Sequence, residues 1–555
     1  MTATDDRTPA PADAPGDAPG DAPAGTSVAE PPAAPATDAG ALRPGRLETD
    51  RLATRIAVAP GRELKKVTSP LTGEVIGEVP IGTAEDVAAA VAECRRVQQR
   101  WAATPIKQRA AVLLRYHDLV LDHQDELLDM IQAENGKARV WAFEEIMDQA
   151  VTARYYARLA PRALKPTPRL TALPGLVRAT EHHVPKGVVG VISPWNYPLV
   201  LAVSDALAAL VAGNGIVIKP DSQTPFTALR AFELLEQAGL PEGLVQIVTG
   251  PGTAVGKAII DSTDYVMFTG STATGRAVAA QSAERLIGFS AELGGKNAMV
   301  VTADVDLDRA VEGATVGCFA NTGQLCISIE RIYVDQAIAS AFTDRFGKRV
   351  ASLTLGAQQE YGPEVGALAS KAQLDKVTEH VDDAVAKGAR VVAGGQARPD
   401  VGPFFFEPTV LAEVTPEMDV YREETFGPVV SIYPYASVDE AVNAVNDTEY
   451  GLNASVYCGD VRAGRRIGER LMAGTVNIND GYSSGWASLD APMGGMKASG
   501  VGRRHGREGL LKYTESQTVA VRSALAEKLQ TPGTDAVGYA KRFTKLLRAA
   551  KHLPR

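Results

Sequence analysis

The chain has 555 residues, a formal charge of −9, 45 % apolar residues and 22 % charged ones. That length exceeds what one hydrophobic core serves, so two or more domains are expected, and the acidic balance excludes a basic nucleic-acid footprint. The four cysteines, Cys94, Cys318, Cys326 and Cys458, lie too far apart for a disulfide framework or a metal-ligand spacing, which suits a reducing, cytoplasmic setting.

Residues 1–40 are mostly Ala, Pro, Gly, Asp and Thr, with Arg7 as their one basic residue. They predict a disordered tail with no apolar signal region. Apolar positions three and four apart predict helices over 84–98 and 107–134, and the helical texture continues through "WAFEEIMDQAVTARYYARLAPRAL". From residue 187 short apolar runs alternate with helical patterns. "GVVGVISP" reads as a strand, "LAVSDALAALVAGN" as a helix stopped by Gly213 and Asn214, and "GIVIKP" as a second strand. "TPFTALRAFELLEQAG" carries the marks of a whole helix: Thr224 as its cap, Pro225 in its first turn and Gly239 at its end. "LVQIVTG", "AVGKAII", "YVMFTG" and "ATGRAVAAQSA" repeat the alternation, which predicts a parallel sheet buried on both faces. A second α/β unit follows from residue 296. "VRATEHHVPKGV" and "LLKYTESQTVAVR" read as strands outside both units, able to pair with each other or across subunits. The basic end, "AKRFTKLLRAAKHL", can form a short amphipathic helix: a surface or packing appendage, or a weak membrane-surface contact. No apolar stretch is long enough to span a bilayer.

Ligands bind open α/β sheets at the carboxyl ends of strands. The candidates there are Trp195 and Asn196, Lys219, Gly270 and Ser271, and Glu292. "FTGSTATG" is either an ordinary tight turn or a turn whose N–H groups hold a diphosphate at a helix start. Lys219 either snorkels to solvent or meets a ribose or phosphate. Glu292, among small and apolar residues, is a cap, a salt-bridge partner or a general base whose pKa burial raises. Cys326 is a buried packing residue or a nucleophile.

The motifs "VVGVISPWNYPL", "IVIKPDSQTPFTA", "YVMFTGSTATG", "FSAELGGKN", "NTGQLCISIER", "EETFGPVV", "NDTEYGLNASVY" and "APMGGMKASGVGR" stand in this order. Over roughly residues 60–520 the chain thereby resembles the aldehyde dehydrogenase superfamily, and most of all the bacterial succinate-semialdehyde dehydrogenases. The resemblance implies an α/β fold with a Rossmann-type cofactor domain (57–170 and 188–292) and an α/β catalytic domain (293–504). It also implies a small β oligomerisation domain (171–187 and 505–521), followed by a basic extension (522–555), and hence a homodimer or homotetramer. It assigns Cys326 as nucleophile, Glu292 as the base for deacylation and Asn196 as an oxyanion donor. Trp195, Lys219, Ser222, Gly270, Ser271, Glu424 and Phe426 fall to the cofactor, and no metal is needed.

NAD-preferring relatives often carry a Glu where this sequence has Ser222. A hydroxyl there, beside Lys219, favours NADP, with NAD possible. Relatives matched to succinate semialdehyde tend to carry an arginine pair where this chain has Ser204 and Asp205. An acid there is expected to oppose a dianionic product, with Arg331 or a residue of "GYSSGWASLD" compensating. Aromatic or aliphatic aldehydes are the alternative, suited by Tyr197, Tyr482 and Trp486. Acyl transfer to coenzyme A or a non-catalytic role are minor alternatives.

Overall fold

The computed structural model describes residues 47–172, 176–524 and 535–552. The expected disordered tail, 1–40, lies outside them. Apolar runs with no polar face need cover on both sides, and this requirement builds the first sheet. Its strands run Gly500–Val501, Gly288–Glu292, Tyr265–Thr269, Val188–Ile192, Gly215–Lys219 and Val245–Ile247 in spatial order. All pairs are parallel except the first, where Gly500 faces Glu292. Every residue of Val188–Ile192, Gly215–Lys219 and Tyr265–Thr269 is buried.

The chain moves outward from Val188–Ile192 to one side, then returns and fills the other. The strand order therefore reverses between Val188–Ile192 and Tyr265–Thr269, the point where such sheets open a crevice for ligands. Register aligns the carboxyl edge there: Ile192 lies opposite both Lys219 and Phe268, and Thr269 opposite Glu292.

Five residues after Glu292 the chain starts the second sheet, of seven strands. Their order is Arg390–Ala393, Thr409–Ala412, Val429–Tyr435, Ile329–Asp335, Asn297–Val301, Asn453–Tyr457 and Thr475–Ile478. The carboxyl edge of one sheet thus runs directly into the amino edge of the other. Cys326 lies in the turn that leads into Ile329–Asp335, on that same seam.

The two outlying strands pair with each other. Val177–Pro185 runs antiparallel to Thr514–Arg522, Pro185 facing Thr514, and Thr167–Arg169 adds a short third strand that the sequence reading missed. Much of this small sheet is open to solvent; along Thr514–Arg522 every residue after the first is exposed.

Two helix expectations are corrected. The pattern over 107–134 predicts one helix, but the structure has two, Ile106–Asp122 and Gln124–Asn135, broken at His123 (φ −101°, ψ 20°). Apolar spacing continues across the break, so periodicity does not show it. Thr224 stands before Pro225–Gln237 without capping it through its side chain. The buried Glu134 carboxylate takes that role from another helix, accepting the N–H of Phe226 at 2.5 Å and of Thr227 at 2.8 Å and the Thr227 hydroxyl at 2.5 Å. A carboxylate at the positive end of a helix is favoured by the aligned peptide dipoles, and the short Gln124–Asn135 helix carries it there.

Candidate active site

The loop before Cys326 has an unusual backbone. Asn321 (φ 49°), Thr322 (φ 57°) and Gly323 (φ 70°) are left-handed in succession, a costly arrangement for a β-branched residue. Side chains hold it in place. Asn321 Nδ2 donates to the carbonyls of Asn196 (2.9 Å) and Gln324 (3.0 Å). Gln324 Nε2 donates to Ala367 O, while its Oε1 accepts from Ala369 N at 2.8 Å. Downstream, Asn297 Nδ2 donates to the carbonyls of Cys326 and Ser328, both at 2.8 Å, and Asn453 Nδ2 to that of Ile327 at 2.9 Å. Gly323 is required twice: by its φ and because a Cβ there would lie 2.1 Å from Gly427 O.

Asn196 is buried and fastened to the same loop, its Nδ2 donating to Gln324 O at 3.0 Å. The Asn196 carbonyl also accepts from Lys137 Nζ at 2.8 Å, and Lys137 pairs with Glu145 at 2.7 Å with both side chains wholly buried. Sequence reasoning passed over this pair; its signal was a lysine just before the Arg139–Ala163 helix and a glutamate eight residues on, in its second turn.

Glu292 and Cys326 share one electrostatic environment. Burial pushes the Glu292 carboxyl up to about 7, against the pull of Arg504 and Lys512. Burial likewise pushes the Cys326 thiol up to about 12; Arg504 works against this rise, while Glu424 and Glu292 add to it. Glu292 Oε1 and Arg504 Nε are buried, without a hydrogen-bond partner among the described residues, and 3.9 Å apart. Gly494, where a Cβ would stand 3.2 Å from Glu292 Oε1, leaves that carboxylate room.

Asp205 does not confront the site as expected. It is buried, with Arg504 Nη2 at 3.0 Å from Oδ2 and Lys512 Nζ at 3.3 Å from Oδ1. Burial raises its pKa, but the two cations outweigh burial and hold it below the ordinary carboxylate value. Its charge is spent on Arg504 and Lys512. Arg331 is no substitute cation either: buried in its strand, it donates to the carbonyls of Lys296, Ala444 and Val445. Ser204 donates to Asp148, which also accepts Trp486 Nε1 at 2.9 Å. Tyr197 and Tyr482 both donate to Glu144, at 3.1 and 2.7 Å. Tyr197, Tyr482 and Trp486 pack in one cluster with Cys326.

The remaining candidates lie at or just past the carboxyl ends of first-sheet strands, or on the segment that carries Glu424 and Phe426. Lys219 is buried, its Nζ donating to Pro220 O at 2.9 Å. Burial pushes its pKa down, Asp221 opposes this, and the positive charge of Lys65 adds to the fall. Ser222 is buried two residues beyond Pro220. Ser271 is exposed and caps Thr272–Glu284 through Thr274 N, and a Cβ on Gly270 would strike the Phe268 ring at 2.6 Å. Trp195 and Phe426 meet edge to face, centroids 5.6 Å apart. Glu424 accepts Gly295 N at 2.7 Å, an approach that a Cβ on Gly294 would block at 2.4 Å. Glu330, in the strand that follows Cys326, holds Thr425 N and Phe426 N at 3.0 and 2.9 Å and pairs with Lys296 at 2.5 Å. Among the described residues no carboxylate pairs with the buried Lys219, and a buried lysine at a carboxyl strand end beside the strand-order reversal fits a dinucleotide bearing phosphate.

The model of the aldehyde dehydrogenase family matches residues 58–519. The chain belongs to the aldehyde dehydrogenase family. It is 55 % identical over 494 residues to a Mycobacterium ulcerans protein named putative succinate-semialdehyde dehydrogenase, NADP(+), 2, covering 89 % of this chain and 95 % of that one. Among solved structures it resembles an E. coli NADP-dependent enzyme (35 % identity, TM-score 0.81, 85 % and 99 % of the two chains). It also resembles a Bacillus cereus aldehyde dehydrogenase in complex with NAD+ (34 % identity, TM-score 0.81, 86 % and 98 %). The chain is thus an oxidoreductase that oxidises aldehydes with a nicotinamide dinucleotide.

The loop before Cys326 gives a sharp test. Gly323→Ala should leave the protein folded but lower aldehyde-dependent NADP reduction by at least about a hundredfold, since displacing reacting atoms by about 1 Å costs that much. Circular dichroism and steady-state absorbance at the reduced nicotinamide band check the two halves.

Proposed function

We propose that this chain oxidises succinate semialdehyde to succinate with NADP, through a thioester on Cys326. The observation that supports the chemistry is the seam, where a half-exposed thiol and a buried carboxylate with no hydrogen bond to its Oε1 share the field of Arg504. The substrate follows the mycobacterial relative's name.

In this reading Cys326 gives its proton to solvent and its thiolate sulfur attacks the aldehyde carbon, the C=O π pair moving onto oxygen to give a tetrahedral adduct. The developing oxyanion is met by the second Asn196 amide N–H and the Cys326 backbone N–H, both held by the lashed loop. A dinucleotide, when bound, would accept the hydride that the adduct gives up in becoming a thioester. Trp195, Lys219, Ser222, Gly270, Ser271, Glu424 and Phe426 would hold the dinucleotide at the carboxyl edge of the first sheet. Glu292 then takes a proton from the water that hydrolyses the thioester. Arg504, anchored by Asp205, keeps positive charge beside Glu292 as the carboxylate ionises. The first sheet with its helices (57–170, 188–292) serves the cofactor and the second (293–504) the chemistry. The small exposed sheet (171–187, 505–521) joins subunits into a dimer or tetramer, because open strand edges and exposed Val519 and Val521 need cover. Four free cysteines suit a cytoplasmic enzyme.

A second reading has one specific support. Glu144 and Asp148 lie in hydrogen bonds with the aromatic cluster around Cys326, while Arg331, Arg504 and Lys137 are all committed elsewhere. Carboxylates and aromatic rings favour neutral aliphatic or aromatic aldehydes over an anionic one.

With the Glu292 carboxyl near 7 rather than its ordinary 4.5, the ionised base is lost as pH falls through about 7. Turnover limited by hydrolysis should fall about tenfold per unit below that value and level off above it. In Glu292→Gln this limb should vanish, leaving a burst of reduced cofactor followed by slow release; a pre-steady-state trace without a burst assigns the base elsewhere. Ser222→Glu should shift kcat/KM from NADP toward NAD by at least about tenfold, since a carboxylate accepts from a free ribose hydroxyl and repels a phosphate. The substrate is tested by kcat/KM for succinate semialdehyde, butanal and benzaldehyde at saturating NADP. A preference of about tenfold or more for the charged aldehyde supports the first reading; equal or better rates on the neutral aldehydes select the second.

A further inference from the structure

Beyond the family region, Ala536–Ala550 forms a helix capped by Asp535, whose side chain accepts Gly538 N. Ala536, Tyr539, Ala540, Phe543, Leu546, Leu547 and Ala550 recur every three or four residues and fall within an arc of about 120°. Lys541, Arg542, Lys545 and Arg548 on the rest of the helix and Lys551 at its end add five cations, of which Arg542 pairs with the capping Asp535 at 3.6 Å, in a chain whose formal charge is −9. None of the helix's residues is buried; Leu546 is 40 % and Leu547 55 % exposed. The Tyr539 and Phe543 rings lie 4.8 Å apart on the apolar arc.

We infer that this helix docks the enzyme on an anionic lipid surface. A folded partner can cover an apolar stripe, but a stripe bordered by five cations asks for apolar and anionic partners together. A bilayer interface supplies both, with the leucines and aromatic rings entering the acyl boundary and the lysine and arginine stems reaching back to the phosphates. Fifteen residues with this pattern are too short to span a membrane and long enough to lie in its surface. The attachment is reversible and salt-sensitive, because much of it is attraction between charges in water.

The test is co-sedimentation of the full chain with vesicles of phosphatidylglycerol and phosphatidylcholine, or of phosphatidylcholine alone, in about 0.1 M and 0.5 M salt. Binding to the anionic vesicles is expected, weakened about tenfold or more by neutral lipid and by high salt. Two variants, Leu546→Glu with Leu547→Glu and Lys541→Glu with Lys545→Glu, should each lose about tenfold or more in affinity while aldehyde oxidation stays unchanged. Absence of binding to anionic vesicles at millimolar lipid overturns the proposal, as does binding that ignores lipid charge or either variant. If light scattering instead shows that the leucine variant breaks the oligomer while lipid binding is untouched, the apolar arc covers a second copy and the proposal fails.

Discussion

Desolvation governs the seam between the two sheets. Asp205, Glu292, Lys296 and Glu330 are buried there, with Cys326 and Glu424 half-exposed beside them, and a buried charge is costly unless another answers it. Lys296 and Glu330 answer each other and in doing so fix the loop that carries Phe426. Arg504 is shared. Its Nη2 is bound to Asp205, which leaves Nε turned toward Glu292. The fixed guanidinium limits how far burial can raise Glu292, so the carboxyl stops within the range where a base works at neutral pH.

The same burial separates two acids that share a site. A thiol near 12 and a carboxyl near 7 mean that the cysteine keeps its proton when the glutamate has lost its own. Thiolate reacts with oxidants far faster than thiol, and burial holds the half-exposed Cys326 toward the thiol. Reactivity must then be raised by what enters the cleft, through added positive charge or a shifted proton.

Much of this was legible in the sequence because it depends on local pattern. Apolar runs gave the first sheet, and the residues just past them, Asn196, Lys219, Gly270 and Glu292, follow from where such strands end. The family motifs added Cys326, Glu424 and Phe426. What stayed hidden depends on distant partners or on backbone angle. Asp205 looked like an intruder because Arg504, 299 positions away, cannot be matched to it from spacing. The left-handed run through Asn321 and Thr322 carries no composition signal beyond its glycine. Thr224 sits where a cap should be, yet the donors belong to Glu134, which only the tertiary arrangement brings near.

The first sheet is finished by residues that arrive last. Gly288–Glu292 gains its outer neighbour only when the edge strand Gly500–Val501 pairs with it, and Val177–Pro185 waits for Thr514–Arg522. During synthesis the strand Gly288–Glu292 must therefore stand with an open edge while some 200 further residues are made, at roughly 5–20 residues per second. An unpaired edge is a template for the wrong neighbour, and the interval lasts on the order of tens of seconds. Pairings of such long range also slow folding after release. Production of this enzyme in a foreign host is thus a race between chain completion and aggregation, in which slower growth temperatures and helper chaperones act on the waiting edge rather than on the finished molecule.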